Sequence, residues 1–169
     1  MINYRARFFL EQEMEIRKIS PAHLSTIIAL MKEFAEYEDL SEYCTANEER
    51  LSLAMFGEDA FVEGLVAANG DLPVGYAIFY PFFASFRAER GLYLEDIYVQ
   101  PDHRRGGIGL LMLKEIARLA AGRGMERIDF QVLDWNKPAI DFYIKHGAIS
   151  NPDETHFKFS GDAFRTLAS

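Results

Sequence analysis

Cysteine is nearly absent from the 169 residues: Cys44 stands alone. No internal disulfide can therefore form, and the fold has to be held by packing. Nor is there an apolar run approaching the roughly 20 residues that cross a bilayer. The longest candidate, 76–86, is interrupted by Pro81. The first residues lack the apolar block and small-residue cleavage site of a secretory signal, so a cytoplasmic location is expected and a membrane partner is not. Positive charge is scarce, 18 Lys and Arg against 26 Asp and Glu for a net charge of −8, and a phosphate backbone would meet mostly repulsion. Nucleic acid is not an expected partner. His23, His103, His146 and His156 are scattered without ligand spacing, so no metal site is expected.

What is present suits one globular domain. Hydrophobic residues make up 49% and charged residues 26%, near the average for packed chains, which excludes disordered and fibrous classes. Residues 1–13 show no clear period and are set apart as an N-terminal extension of uncertain status, with Met14 a possible natural start. Residues 14–169 read as a single α+β domain. Strands are expected over 15–19, 61–68, 74–83, 92–99 and 127–133. Asn69-Gly70-Asp71 supplies turn chemistry between the second and third. Ser20-Pro21 starts a helix that runs to about Glu38 on the stripe Leu24, Ile27, Ile28, Met31, Phe34 and Ala35. Thr45-Ala46-Asn47-Glu48 has the capping-box pattern for a helix reaching about Phe56. Helices are also expected over 110–123 and 138–146, the latter ended by Gly147.

Two features stand out chemically. Between 33 and 49 the sequence carries seven acids and no Lys or Arg, which reads either as a solvated helix face or as a site for a cation. His103-Arg104-Arg105-Gly106-Gly107-Ile108-Gly109 lies between a strand and a helix, where free backbone N–H groups and the helix dipole favour an anion. The Gly-Lys-Ser/Thr of a P-loop is absent, and the spacing of Gly106, Gly107 and Gly109 does not fit the dinucleotide fingerprint.

The run Tyr93-Leu94-Glu95-Asp96-Ile97-Tyr98-Val99 leads directly into that loop. With it, Arg104-x-x-Gly107-x-Gly109 resembles the acetyl-CoA signature of the GNAT superfamily of N-acyltransferases. Tyr37-Glu38, Leu94-Glu95-Asp96, Asp134-Trp135-Asn136 and Phe142-Tyr143 with Gly147-Ala148 resemble its diamine branch, including the thialysine-acetylating relatives. The resemblance implies the GNAT fold, a mixed, mostly antiparallel central sheet with splayed fourth and fifth strands, flanked by helices. It implies acetyl-CoA as co-substrate, bound along Ile97, Tyr98 and Val99, around Arg104, Arg105, Gly106, Gly107, Ile108, Gly109 and Leu110, and at Asn136. It implies direct acetyl transfer to a primary amine of a small cationic substrate, a diamine, polyamine, lysine or thialysine-like compound. Members of this branch are homodimers by analogy.

Such a transfer needs a neutral nitrogen, a stabilised oxyanion and a proton for the departing thiolate. Glu95 is the expected carboxylate for deprotonation and Tyr143 the expected donor to sulfur. Tyr37, Glu38, Glu95, Asp96 and Glu154 match positions that contact amine. In a regular strand Glu95 and Asp96 point to opposite faces, so only one can enter a pocket unless a bulge re-aims the other. On the residues alone, strand-end charge facing solvent and a core aromatic at 143 stay open, with Phe142 the better core residue. Trp135 reads as packing and Cys44 as a small buried thiol. Arg87 and Arg90 stand where further acid would suit a long polyamine, which turns the expectation toward shorter amines or an amino acid. Acetylation of a peptide, or an acyl-CoA-binding module without chemistry, are the competing functions.

Overall fold

The structure, a computed structural model, describes residues 14–151 and 153–169. The expected extension 1–13 lies outside them. The described residues form two compact units, 14–131 and 132–169.

In the first unit β1 (Met14–Lys18), β2 (Glu63–Asn69), β3 (Leu72–Ala84), β4 (Glu89–Val99) and β5 (Ile128–Asp129) make one sheet in that order. The first three pairings are antiparallel and β4–β5 is parallel. The interior strands read as continuous apolar runs because both faces are covered. On one face Leu65, Ala67, Phe79, Leu92 and Leu94 pack with Ile108, Met112 and Ile116 of α3 (Ile108–Ala121). On the other, Val66, Tyr76, Ile78 and Tyr98 pack with Ile27 and Leu30 of α1 (Leu24–Tyr37). Gly70, at φ +62°, turns β2 into β3 through a two-residue loop, as its lack of a Cβ permits.

Several boundaries differ from expectation for identifiable reasons. Ser20 and Pro21 begin a short 3₁₀ turn, with the Ser20 N–H donating to His23 Nδ1 at 3.0 Å, before α1 starts at Leu24. The capping box at Thr45 does not form. Asn47 is the cap of α2 (Glu48–Phe56), its Oδ1 accepting from the Arg50 N–H at 2.9 Å, while the Thr45 N–H donates to the Tyr43 carbonyl. An amide oxygen one position from the first turn outcompetes a hydroxyl two residues further out. The fifth strand, expected over 127–133, pairs only at Leu92↔Ile128 and Tyr93↔Asp129. Beyond these pairs β4 continues for six residues with no ladder partner on that side among the described residues, which is the splay the resemblance implied.

The second unit contains α4 (Lys137–Lys145) and α5 (Gly161–Leu167). Asn136 caps α4, its side chain accepting from the Ala139 N–H at 3.3 Å, and Gly147 follows the helix at φ +91°.

Candidate active site

A bulge in β4 organises the site. Ile78 of β3 pairs with Asp96 and Phe79 with Leu94, so Glu95 is an extra residue with no partner of its own in the ladder. The alternation of the strand shifts by one at this point. Leu92 and Leu94 face α3 before the bulge, and Ile97 and Val99 face α3 after it. Both carboxylates at the bulge are consequently held on the opposite, α1 face by tyrosines of β3. Tyr76 Oη donates to Asp96 at 3.3 Å and Tyr80 Oη donates to Glu95 at 3.0 Å. Sequence reading missed both phenols. Their signal was the period-2 spacing Tyr76-x-x-x-Tyr80 on a strand about to be paired with Leu94-Glu95-Asp96.

The same shift orients the backbone. The Gln100 N–H donates to the Val74 carbonyl on β3, and alternation turns the N–H groups of Ile97 and Val99 to the other edge, which β5 does not occupy. Tyr98 has its N–H toward β3. Its ring is buried on the α1 side, stacked on Phe34 at 5.3 Å, and its hydroxyl donates to Glu33. Of the three adjacent residues expected along an acyl carrier, the open edge therefore offers two.

Acid converges on this end of the sheet. Glu38 follows the last turn of α1, which holds no basic residue, so its carboxylate adds to the negative end of the helix dipole. Burial raises the Glu38 pKa. The Asp96 carboxyl is pushed up to about 6, chiefly by burial, then by the charge of Glu95, with Glu38 adding and the Tyr76 hydrogen bond opposing. Such a concentration of carboxylates is stabilised by an arriving cation.

The glycine loop lies at the end of β4. Gly107 is the N-cap of α3 at φ +79°, and no side chain among the described residues caps that terminus. The first backbone bond of the helix runs from Leu111 N–H to the Gly107 carbonyl, which leaves the N–H groups of Ile108, Gly109 and Leu110 directed out of the helix. A Cβ on Gly107 would meet nothing within 4 Å, and one on Gly106 would meet only the His103 carbonyl at 3.9 Å. The room beside these glycines is filled by no atom of the described chain, and the terminus fits a pyrophosphate. Arg105 is exposed at φ +69°. Arg104 turns away from the loop: its Nε donates to the Val99 carbonyl at 2.7 Å and its guanidinium lies over the rings of Tyr37 and Tyr98.

The structure thus brings Tyr37, Glu38, Glu95, Asp96, the edge of β4 and the glycine loop into one unit. Asn136, Tyr143 and Glu154 belong to the other. There Asn136 is buried and Glu154 exposed. Tyr143 is more buried than its neighbour Phe142, reversing the expectation, and desolvation pushes its phenol up to about 12. Trp135 is half exposed rather than packed away, and Cys44 is only partly buried. Among the described residues no group of three or more His, Cys, Asp or Glu is placed to hold a metal.

A sheet that parts beside an uncapped, glycine-led helix defines an acyltransferase that takes its acyl group from a phosphate-bearing carrier. Residues 27–148 match the Acetyltransferase (GNAT) family, and the chain belongs to it. It is an acetyltransferase, and enzymes of this family use acetyl-CoA as co-substrate. The thialysine N-epsilon-acetyltransferase of Sus scrofa is 37% identical, with 90% of this chain and 96% of that protein covered. The L-ornithine N5-acetyltransferase of Arabidopsis thaliana is 35% identical over 59% of this chain and 43% of that protein. An integron cassette protein from the mobile metagenome of V. cholerae shares the fold at a TM-score of 0.77 and 24% identity, covering 92% of this chain and 97% of that one.

Proposed function

We propose that this enzyme transfers the acetyl group of acetyl-CoA to the side-chain amine of a small basic amino acid, of the thialysine or ornithine kind, or to a short diamine. The observation that carries the reading is the bulge at Glu95, which sets two carboxylates on one face next to Glu38 and turns two N–H groups to the open edge. The names of the relatives point to the same substrate class.

In this reading the pyrophosphate rests on the N–H groups of Ile108, Gly109 and Leu110, with Gly106 and Gly107 leaving it room and Arg105 adding charge. The acyl arm runs along the edge of β4 and is further held at Asn136. The ammonium is drawn to Glu38, Glu95 and Asp96, with Tyr37 and Glu154 completing its surroundings. A carboxylate removes one proton, and the neutral nitrogen attacks the thioester carbonyl. The Ile97 or Val99 N–H stabilises the oxyanion, a role preorganised donors perform at low reorganisation cost. Tyr143 donates its proton to the departing thiolate and recovers one from the acylated nitrogen. Its raised pKa keeps it protonated throughout the working range.

The reading extends to assembly and place. Ile149, Phe157 and Phe159 of the second unit are 95%, 83% and 67% exposed, which supports a homodimer that covers them. The lone cysteine supports a reducing, cytoplasmic compartment. Among the described residues no helix is long and apolar enough to cross a membrane.

An amine panel scored by release of coenzyme A tests the function. Thialysine, ornithine, lysine and short diamines are expected to exceed peptide amines in kcat/KM by at least about tenfold, or about 1.4 kcal/mol in transition-state binding. Preference for peptides, or turnover of no amine, overturns the proposal.

A further inference from the structure

The bulge raises the question of which carboxylate moves the proton. The sequence pointed to Glu95, and the structure divides the two acids sharply. Glu95 is exposed, and its phenol partner Tyr80 lies at an exposed contact stacked on Tyr93 at 5.4 Å. Asp96 is partly buried, and its partner Tyr76 has no solvent-exposed surface.

We propose that Asp96, oriented by Tyr76, is the proton acceptor for the incoming ammonium, and that Glu95, tethered by Tyr80, holds the cation in place. The inference rests on the amine acetyltransferase reading above and assigns the residues within it.

Four points of geometry and charge support the assignment. First, the Tyr76 ring is locked between sheet and α1 among Ile27, Leu30, Val66 and Tyr98, so its hydroxyl has one fixed direction, toward Asp96. Second, burial and the neighbouring acid raise the Tyr76 pKa far above the ordinary phenol value, so Tyr76 stays a donor and never competes for the proton. Third, the groups that face Asp96 are Glu95 beside it on β4, Glu38 at the end of α1 and Tyr76 across on β3. Two of the three are acids, and both favour the protonated form. Cys44 and Tyr98 are neighbours of Tyr76, and Arg104 stands over Tyr98. Fourth, an Asp96 carboxyl near 6 is closer to an alkyl ammonium, about 10.4 in water, than an ordinary aspartate is, which makes it the better acceptor.

The step balances simply. An N–H bond of the ammonium breaks and its electron pair stays on nitrogen. An O–H bond forms on the Asp96 carboxylate, leaving a neutral amine beside a neutral acid. That proton then passes to solvent as the one net proton the acetylation of an ammonium releases. Tyr76 takes no proton; it is a positioning residue whose bond favours the ionised form of Asp96.

The test uses the full chain with acetyl-CoA and thialysine, measuring kcat and kcat/KM from about pH 5 to about pH 9 with a thermal melt of every variant. Asp96→Asn is expected to lower kcat roughly 10²–10⁴-fold. Tyr76→Phe is expected to move the acid limb of kcat/KM to higher pH, because the bond it removes favours the charged carboxylate, while kcat above the limb recovers. Glu95→Gln is expected to raise KM and to keep the limb but move it to lower pH, because the charge it removes favours the protonated form of Asp96. A folded Glu95→Gln variant that loses the limb, or a folded Asp96→Asn variant within about threefold of wild-type turnover, overturns the assignment while leaving the enzyme an amine acetyltransferase. A wild-type chain that acetylates no amine of the panel overturns the parent reading instead.

Discussion

The guanidinium of Arg104 lies 4.9 Å above the ring of Tyr37, which joins the residue that opens the glycine loop to the last residue of α1. With its hydrogen bond to the Val99 carbonyl, this contact ties the carrier side of the site to the amine side. Cation–π contacts of this exposure contribute about 0.5–1 kcal/mol. Tyr37→Leu should therefore lower thermal stability by about that amount more than Tyr37→Phe, which keeps the ring under the guanidinium. Arg104→Lys should behave like Tyr37→Leu, because an ammonium cannot both stack flat and bond the carbonyl. Melting curves of the three variants check this.

The two glycines of the loop should separate ligand binding from folding. Gly107 has φ +79°, so any side chain there is strained by about 1–2 kcal/mol whatever the space. Gly106 carries no such restriction, and a Cβ there meets nothing closer than 3.9 Å. Gly106→Val should leave the melting temperature near wild type and weaken acetyl-CoA binding, while Gly107→Ala should lower both. Calorimetric titration beside thermal melting tells the two apart.

Asp96 should make the native protein less stable at neutral pH than an amide would. Its folded pKa, about 6, lies above the ordinary aspartate value of 3.8, so between these values the folded state holds more protons than the unfolded state. The penalty is present above about pH 6 and fades as pH falls toward 4. A displacement of that size corresponds to about 3 kcal/mol as an upper bound. Asp96→Asn should raise stability by up to that amount at pH 7 and by little at pH 4, and urea titrations at the two values measure the difference.

Tyr143→Phe keeps the ring and removes the proton. Loss of a general acid should lower turnover roughly 10²–10⁴-fold with fold and acetyl-CoA affinity intact. Because desolvation holds the wild-type phenol protonated to about 12, kcat should show no alkaline limb near the ordinary tyrosine value. Near-normal turnover of a folded variant would leave Tyr143 a buried aromatic and nothing more.

The helix caps give a direct comparison. Asn47→Ala should cost about 1 kcal/mol, since its side chain satisfies the Arg50 N–H, and Thr45→Ala should be close to neutral. Denaturation midpoints for the pair settle which residue starts α2.

Features written in local sequence were legible. The apolar stripe of α1, the Gly70 turn and the glycine loop between β4 and α3 depend on residues within a few positions of one another, and the structure holds all three. What sequence could not show depends on pairing across distance. The bulge exists only in the register of β4 on β3, where Ile78 and Phe79 skip Glu95. The partner of Asp96 is twenty positions away. The Arg104 side chain was expected at the anion site from its place in a motif, yet the aromatic rings that hold it come from α1 and β4. The length of β5 likewise depends on where a parallel neighbour diverges, which its own strand-forming residues do not encode.

The extra residue at the bulge also has a genetic meaning. Removing Glu95 alone would let Asp96 follow Leu94 in an even ladder, with Asp96 and Tyr98 still toward α1 and Ile97 and Val99 still toward α3. Every core contact of β4 would survive a single-codon deletion, while one of the paired acids would vanish. A fold arranged this way stands one insertion apart from a regular sheet with the same glycine loop, so gain or loss of the second carboxylate need not require any change to the hydrophobic interior.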